Sequence, residues 1–463
     1  MAKQTRGVAS VSSVTDPVLA FVDAAEADPR VALHSLVVRT PDGIVAEAYW
    51  NPYRADDRQL VYSVSKTVTA TAAGFALAEG LVHLDDRVVD LIEAPVAVDG
   101  RRRELTFHHL LSMTTGHDAD TLDFASDIRT GVAEAFWGAE PQTPVGSRHV
   151  YNNGASWAVG EVVRTVTGTS LVDYLRPRLL EPLSIDLTWD ADARGSEFGF
   201  TGAHLTTRAL AALGQVYASG GRWQGRQVLP SGWAELASTR HTRTEEPYPE
   251  WNFGYGYQVW LGREGFRLDG AYGQYALVLP QSETVIAITS SQAVTSQPVL
   301  DLVWEHLVPH LDAAPDPERA ERLAALGIRI PKDSGRHGSW AHEGPVPLRP
   351  SLALGAEQLH LPDVADLAVT RNEQGYVVSF TLEGEQVTLT TQGPWRRQPM
   401  PTGGADVPVA LAAAVSSRGA VRLRLCITDT PHVLLVEADG SSAGLAWQTA
   451  PLHMARFADL AAH

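Results

Sequence analysis

The chain has 463 residues, of which 44% are hydrophobic and 20% charged, a globular composition that excludes a disordered or fibrous protein. Its 54 acidic residues outnumber its 37 lysines and arginines, and the formal net charge of -17 argues against binding to a nucleic-acid backbone or an anionic membrane. The single cysteine, Cys426, excludes an intrachain disulfide and any metal site built from several cysteines.

The N-terminal residues 1–6 are not followed by an apolar run, so we expect no signal peptide. No stretch reaches the roughly 18 apolar residues that a membrane helix needs. The expected location is therefore the cytoplasm, without a membrane partner.

Residues 17–311 have the pattern of an α+β domain, in which strands from both ends build one sheet and the middle is helical. The turn signal Pro41-Asp42-Gly43 separates two strand-like runs, at 34–39 and 44–50, and predicts a β-hairpin. Residues 85–238 are mostly helical in pattern. The other predicted elements are helices at 17–26, 63–79, 157–167, 206–218 and 298–311 and strands at 256–261, 265–268, 272–279 and 284–290.

Proline and glycine punctuate residues 312–350, which predicts a linker with one short helix at 318–326. Beyond it, polar and apolar residues alternate in short runs that predict a small all-β domain, a barrel or a sandwich. These runs are 375–382, 386–391, 421–427 and 432–438. The predicted organisation is a first domain at 1–312, a linker at 313–346 and the all-β domain at 347–463.

Ser63 and Lys66 form a Ser-x-x-Lys pattern at the start of a predicted helix. Residues three apart share a helix face, so the serine hydroxyl can lie beside the amine. A lysine acts as a base near neutral pH only if burial or a nearby cation lowers its pKa from about 10.4. The positive end of the helix favours both a neutral amine and a developing oxyanion.

The pattern is short and arises by chance in many proteins, so an ordinary helix start is the alternative interpretation. Lysine usage favours the catalytic one, because the chain has only three lysines, Lys3, Lys66 and Lys332. The first lies in a predicted tail and the third in the predicted linker. Arginine cannot deprotonate in a protein, which leaves Lys66 as the candidate base of the first domain.

Two further motifs accompany this pattern. Tyr151 and Asn153 precede a predicted helix and can offer a phenol and an amide to one site, although a core tyrosine and a helix-capping asparagine are the alternative. In the segment from Arg267 to Tyr275, Gly270 and Gly273 open a predicted strand. Glycine there permits close approach of the backbone to a ligand, and an ordinary bend is the alternative.

Together the three motifs resemble the serine β-lactamase and penicillin-binding-protein-like hydrolases, specifically the class C β-lactamase and esterase branch. The resemblance covers about residues 30–311. It is supported by four further stretches, VYSVSKTVT at 61–69, GLVHLDDRVVD at 80–90, LTFHHLLSMTTGH at 105–117 and LLEPLSI at 179–185. It implies a mainly antiparallel sheet flanked by helices, with an all-helical part and the active site between them.

The resemblance also implies roles for individual residues. Ser63 would be the acylated nucleophile, Lys66 its base, and Tyr151 a partner in proton transfer that later activates water. Asn153 would contact the substrate, and the backbone N–H groups of Ser63 and Ala271 would form the oxyanion hole. Gly270 and His117 would border the substrate.

The third motif departs from the family pattern, since many relatives have a lysine or histidine, then serine or threonine, then glycine, where this chain has Leu268-Asp269-Gly270. In lactamases and peptidases of the family that lysine helps to hold a substrate carboxylate. Its loss favours esters or uncharged amides, although Arg267 is a candidate replacement. A second departure, Val145-Gly146 where relatives often have Pro-Gly, is expected to be harmless.

We therefore predict a serine hydrolase that forms an acyl-enzyme on Ser63 and hydrolyses a small carboxylic ester. The alternatives are an amide, D-peptide or lactam hydrolase or an acyltransferase with the same machinery, and, from another class, a non-catalytic binding or acyl-sensing protein. No cofactor is predicted. The C-terminal domain is interpreted as a lid, as a contact in a homo-oligomer or as a ligand-binding module of its own.

Two further patterns in the sequence are not interpreted as functional sites. Residues 440–444, Gly-Ser-Ser-Ala-Gly, match a Gly-x-Ser-x-Gly nucleophile elbow, but a strand-like run follows them where the elbow needs a helix, so we predict a hairpin turn. The 16 histidines include the adjacent pair His108-His109, but no His-Glu-x-x-His or similar ligand spacing occurs, so no metal site is predicted.

Overall fold

The computed structural model describes most of the chain. The described residues are 16–122, 128–311, 316–326, 348–349, 364–373, 375–391, 394–403, 405–415, 421–438, 443–452 and 457–460. Of the predicted linker they include only 316–326, where a short helix, Arg319–Ala324, lies within the predicted one. The domain boundaries at 312 and 347 stay predictions.

The first part of the chain is an antiparallel sheet flanked by helices, which confirms the α+β prediction. Neighbouring strands of the six-stranded sheet are, in order, Gly43–Tyr49, Leu33–Thr40, Thr284–Ser290, Gln274–Leu279, Phe266–Gly270 and Trp260–Leu261. The hairpin predicted around Pro41-Asp42-Gly43 is present as the first two of these strands. The strand Leu33–Thr40 pairs with Thr284–Ser290. This pairing brings strands from both ends of the predicted domain into one sheet.

Helices cover this sheet and fill the middle of the chain. They are Pro17–Ala27, Val64–Ala78, Val88–Leu91, Phe107–Leu111, Val132–Gly138, Asn153–Thr167, Leu171–Leu175, Glu181–Leu183, Thr207–Ala218, Trp233–Ser238 and Gln297–Leu302. Short strands Gln59–Leu60, Ala203–Leu205 and Thr188–Trp189 form a small separate sheet, and Arg222–Trp223 pairs with Arg226–Gln227. The described helices include none long and apolar enough to cross a membrane.

The strand predicted at 256–261 was too long, whereas the helix predicted at 298–311 is present but irregular. The strand predicted at 256–261 is limited to Trp260–Leu261, because Gln258 has a positive φ of 57° and Gly256 N–H bonds back to the Val259 carbonyl in a turn. The helix predicted at 298–311 begins as the α-helix Gln297–Leu302 and continues as a π-helical turn and a 3-10 turn. Local backbone geometry, which the apolar pattern does not report, shortens the strand and makes the second half of the helix irregular.

The C-terminal part is all-β, as predicted. One sheet contains Leu348–Arg349, Ala443–Thr449, Val433–Ala438, Val421–Ile427, Ala405–Val415 and Arg396–Thr402, in that order, and a second contains Val364–Asn372, Gly375–Leu382 and Glu385–Thr390. Both sheets contribute to one hydrophobic cluster. Another cluster joins Ala410, Cys426 and Val433 to residues of the first part, so the two parts share a packed interface.

The two strands on either side of 439–442 pair antiparallel, and Ala443–Thr449 is a strand rather than a helix. This excludes the helix that a Gly-x-Ser-x-Gly nucleophile elbow requires after its serine. The turn predicted there, at 440–442, lies outside the described residues.

Candidate active site

Ser63 stands at the N-cap of the helix Val64–Ala78, in the centre of the first domain. This helix is buried from Val64 through Ala76, which its alanines, threonines and glycine make feasible by leaving little side-chain volume around it. The Ser63 side chain makes no capping hydrogen bond to its own helix. Its hydroxyl is therefore available for contacts with other side chains.

Lys66 lies one helical turn later and meets Ser63, as the spacing predicts. Its Nζ is 2.8 Å from Ser63 Oγ, 2.6 Å from Asn153 Oδ1 and 2.8 Å from the Phe200 carbonyl oxygen. The last two atoms can only accept hydrogen bonds. A neutral lysine has two N–H bonds and one lone pair, so donating to both carbonyl-type oxygens directs the lone pair to Ser63.

The environment of Lys66 favours the neutral amine. The side chain is 1% exposed, and burial lowers the pKa of Lys66 to about 7, while the nearby carboxylates of Asp120 and Asp269 act in the opposite direction. An amine with this pKa is partly deprotonated at neutral pH and can accept a proton.

Tyr151 borders the same space from the segment before the helix Asn153–Thr167. The Lys66 Nζ lies 4.9 Å from the centre of its ring, which stacks on Trp260 at 5.6 Å. Burial raises the pKa of Tyr151, and a hydrogen bond with the Ser63 side chain acts in the opposite direction. The side chain is therefore a neutral phenol at physiological pH rather than a phenolate.

Asn153 does not cap the helix, which was the alternative to a role in the site. Asn152 caps the helix, with its side chain accepting a hydrogen bond from the Ala155 N–H, and this leaves the Asn153 amide free to face Lys66. Asp120 accepts hydrogen bonds from both the Asn153 backbone N–H and Nδ2. Because the carboxylate holds the amide nitrogen, the amide oxygen is directed at Lys66.

The third motif approaches the nucleophile through its backbone. A Cβ atom on Gly270 would lie 2.2 Å from the Val61 carbonyl oxygen, so only glycine fits where this strand passes the segment before Ser63. Ala271 follows directly and lines the cavity next to Ser63. The predicted oxyanion-hole residues are thus brought to one cavity.

Arg267 does not take the place of the absent lysine. Its side chain is 2% exposed, its Nε is 2.8 Å from Asp269 Oδ2, and its Nη1 donates to the Glu250 carbonyl oxygen. It is not among the residues that line the cavity, whereas Asp269 is. The third motif therefore presents the Asp269 carboxylate, and not the Arg267 guanidinium, to the cavity.

A cavity of about 490 Å³ opens over Ser63. Six of the fourteen described residues that border it are aromatic, and two have carboxylates. The residues around it are Tyr62, Ser63, Tyr151, Asn153, Phe200, Thr201, Glu246, Pro247, Tyr248, Trp251, Trp260, Asp269, Ala271 and Leu452. No lysine, arginine or histidine lines it among the residues that the structure describes.

The C-terminal part reaches this cavity. Leu452 forms part of the wall, and the Tyr62 hydroxyl is 2.8 Å from His432 Nε2. The Leu60 N–H donates to the Asp429 carbonyl oxygen, so the segment before Ser63 is held from the C-terminal side. The described C-terminal residues thus contribute directly to the surroundings of Ser63.

His117 lies away from the cavity. It is buried, with Nδ1 2.9 Å from Thr115 Oγ1 and Nε2 3.2 Å from the Ala139 carbonyl oxygen. Both nitrogens are occupied by protein groups, so its contacts are structural. Across the described ranges, no three His, Cys, Asp or Glu side chains come together as metal ligands would.

Sequence reasoning did not identify Asp120, Glu246, Phe200, Trp251 and Leu452 as parts of the site. Asp120 and the Phe200 carbonyl are separated from Ser63 by long stretches of chain, and no local pattern marks them. The aromatic residues between 248 and 260 (YPEWNFGYGYQVW) are dense enough to have indicated a ligand-facing loop. Leu452 has no sequence signal.

Comparison with known proteins identifies a family for the first part of this chain. The family model described as Beta-lactamase matches residues 20–307. The chain is 26% identical over 316 residues to a 6-aminohexanoate-dimer hydrolase of Paenarthrobacter ureafaciens, which covers 58% of this chain and 80% of the relative. It is 25% identical over 320 residues to penicillin-binding protein 4 of Amycolatopsis lactamdurans, covering 59% of this chain and 84% of that one.

Among solved structures, an octameric penicillin-binding protein homologue from Pyrococcus abyssi has a similar fold, with a TM-score of 0.52 and 15% identity. The match covers 88% of this chain and 97% of that chain, so it extends beyond the residues that the family model matches.

Proposed function

Because the chain belongs to the Beta-lactamase family, a family with hydrolase relatives, we propose that it is a serine hydrolase that forms an acyl-enzyme on Ser63. The proposed substrate is a small carboxylic ester. The observation that supports this most strongly is the position of Lys66 Nζ, 2.8 Å from Ser63 Oγ and hydrogen-bonded to two obligate acceptors.

In the proposed acylation step, neutral Lys66 accepts the Ser63 proton as Oγ attacks the substrate carbonyl carbon. The negative charge on the substrate oxygen is stabilised by the backbone N–H groups of Ser63 and Ala271. The lysine then holds the proton in a site where Asn153 Oδ1 and the Phe200 carbonyl oxygen accept hydrogen bonds from the ammonium. The machinery requires no cofactor.

Tyr151 completes the proton transfers. Its phenol donates a proton to the leaving alcohol oxygen and regains one from Lys66, so the tetrahedral intermediate collapses to the acyl-enzyme. In deacylation the sequence runs in reverse, with Tyr151 and Lys66 together accepting the proton of the attacking water. A neutral phenol suits this role, since it can both donate and accept.

The third motif supports an ester over a substrate with a C-terminal carboxylate. Asp269 faces the cavity, and Arg267 is engaged with Asp269 and with the Glu250 carbonyl. A carboxylate on the substrate would find no lysine or arginine among the described residues of the cavity wall.

The second candidate is hydrolysis of an amide, since one relative is named a 6-aminohexanoate-dimer hydrolase. The same Ser63, Lys66 and Tyr151 would act, with Tyr151 protonating a leaving amine. A D-peptide, a lactam or an acyl acceptor other than water uses the same steps. A non-catalytic binding protein is the least supported alternative, because all three reacting side chains are present and in contact.

The test is intact mass after brief mixing with p-nitrophenyl butanoate. We expect an acyl adduct or fast p-nitrophenol release in the wild type and in Ser442→Ala, the control variant in the rejected Gly-x-Ser-x-Gly match, but neither in Ser63→Ala. Formation of the acyl adduct in Ser63→Ala would refute the assignment of Ser63 as the nucleophile. Inertness of the wild type toward a panel of esters, amides and lactams would favour the binding protein.

A further inference from the structure

Glu246 lines the active-site cavity, and its carboxylate is near enough to Tyr151 to act on that phenol and raise its pKa. Its backbone is fixed by Asn252, whose side chain bonds both the Glu246 N–H and the Glu246 carbonyl oxygen. Among the described residues no hydrogen bond or ion pair reaches the Glu246 side chain. Since the backbone is anchored at both polar atoms, Glu246 has a fixed place in the cavity wall.

The charge of Glu246 is not balanced within the cavity wall. The other carboxylate there, Asp269, is paired with the buried guanidinium of Arg267. Lys66 is neutral when it acts as a base, and its Nζ already contacts three oxygens. The cavity therefore presents one uncompensated negative charge to whatever enters it.

Aromatic rings surround this charge. Tyr151 stacks on Trp260, and Tyr248 contacts Trp251 edge to face at 6.1 Å. All four rings line the same cavity as Glu246. Arg267 already lies over the Trp251 ring at 4.7 Å and Lys66 over the Tyr151 ring at 4.9 Å. An organic cation beside the carboxylate is therefore attracted by the rings of Tyr248 and Trp260, because the ring quadrupole and the carboxylate act in the same direction.

We infer that the cavity selects substrates that have a positively charged amino group, held between the Glu246 carboxylate and the aromatic wall. The inference rests on the proposed function, since the reacting carbonyl must lie at Ser63. Burial raises the pKa of the Glu246 carboxyl, and an ammonium placed beside it offsets that cost of desolvation. A substrate carboxylate in the same place would be repelled by Glu246, whose charge no described residue balances.

The test compares esters that differ only in the terminal group. p-Nitrophenyl 6-aminohexanoate is matched by p-nitrophenyl heptanoate, and the 3-aminopropanoate ester by the butanoate ester, which together probe two distances from Ser63. We expect kcat/KM to favour the amino ester of at least one pair by about tenfold or more in the wild type.

Three variants locate the preference. Glu246→Gln is expected to bring the ratio of the two kcat/KM values close to one, and Glu246→Lys to invert it. The neighbouring exposed carboxylate provides the matched control, Glu245→Gln, which is expected to retain the wild-type ratio. A wild-type ratio near one for both pairs, or a preference that survives Glu246→Gln, would overturn the inference.

The outcomes separate the two proposals. Turnover of heptanoate and butanoate esters without preference for amino esters would refute the amine site and leave the serine hydrolase standing. If no ester acylates the chain, the site is tested by titrating Ser63→Ala with n-hexylammonium and 1-hexanol and following tryptophan fluorescence. Tighter binding of the ammonium, lost in the double variant with Glu246→Gln, would support the site, and equal binding would refute it.

Discussion

Lys66 has three oxygen neighbours, and a neutral lysine has only two protons to give them. Asn153 Oδ1 and the Phe200 carbonyl can only accept, so the lone pair is left for the Ser63 hydroxyl. Burial supplies the other requirement, a pKa of about 7. Geometry and desolvation thus both favour Lys66 in the proposed role of a base.

The pH dependence of acylation follows from this pKa. Below about pH 7 the Lys66 amine is protonated, so kcat/KM for an ester is expected to fall about tenfold per pH unit, with a plateau above. The measurement is the pH profile of kcat/KM between pH 5 and 9. Lys66→Arg is expected to lose about 10²-fold or more of the activity at every pH, because arginine cannot accept the proton. A profile flat across pH 7 would contradict the assignment.

Tyr151→Phe removes the hydroxyl but keeps the ring that stacks on Trp260. We expect kcat to fall by roughly 10²-fold, the usual scale for a general acid or base. Circular dichroism and the unfolding midpoint serve as controls for folding. A rate close to that of the wild type would assign proton transfer to another group.

Asp120 acts through Asn153 as a positioning residue. Asp120→Asn weakens the hold on the amide nitrogen and removes a carboxylate that raises the pKa of Lys66. We therefore expect a lower kcat together with a pH profile whose midpoint moves to lower pH. The exposed, ion-paired Asp118 gives the control, since Asp118→Asn is expected to leave the midpoint where it is. A purely structural role for Asp120 would lower the rate without moving the midpoint.

At the scale of elements, the site depends on a close approach of two backbones. The strand Phe266–Gly270 passes the Val61 carbonyl at a distance that excludes a Cβ atom on Gly270. The buried helix Val64–Ala78 begins two residues after Tyr62, whose φ is 47°. The strand, the turn and the helix start therefore set the position of Ser63 together.

Gly270→Ala is expected to destabilise the protein by about 1–3 kcal/mol, since the new methyl group forces the strand away from Val61. Because this moves the segment that precedes Ser63, kcat/KM for an ester should fall as well. Urea unfolding and ester kinetics measure the two effects. The control is Gly262→Ala, where the nearest atom to a Cβ is 3.8 Å away. If Gly270→Ala and Gly262→Ala lost equal stability and equal activity, the close approach of the strand to Val61 would not explain either loss.

At the scale of the whole molecule, the C-terminal all-β part contributes residues to the candidate active site. His432 bonds the Tyr62 hydroxyl, Tyr272 donates to the Ala450 carbonyl, and Leu452 lines the cavity. A lid or wall function is therefore favoured by contacts of the described residues. A role of this domain in a homo-oligomer stays a prediction.

Leu452 offers a test of this wall, because its side chain is 43% exposed and substitution there should not affect folding. Leu452→Trp is expected to reduce the kcat/KM ratio of the heptanoate to the acetate ester by roughly tenfold, and Leu452→Ala to increase it. The exposed Val294, which lies outside the cavity, gives the control Val294→Ala. Unchanged ratios in both Leu452 variants would mean that the C-terminal wall does not contact the acyl chain.

The amino-acid sequence by itself determined the α+β class, the all-β C-terminal part and the pairing of Ser63 with Lys66. These are local properties, since periodicity, turn residues and a three-residue helical spacing act within one element. It also placed Tyr151, Asn153 and Ala271 near the site, through motifs whose order along the chain resembles one family.

Only the tertiary structure decided which groups surround these residues. The Phe200 carbonyl, Asp120, Glu246 and Leu452 reach the cavity from separate parts of the chain, and nothing local marks them. It also turned Arg267 away from the cavity and His117 into a structural contact. The physical reason is that the pKa of a base, the charge of a pocket and the volume left for a substrate depend on neighbours in space, which sequence separation does not record.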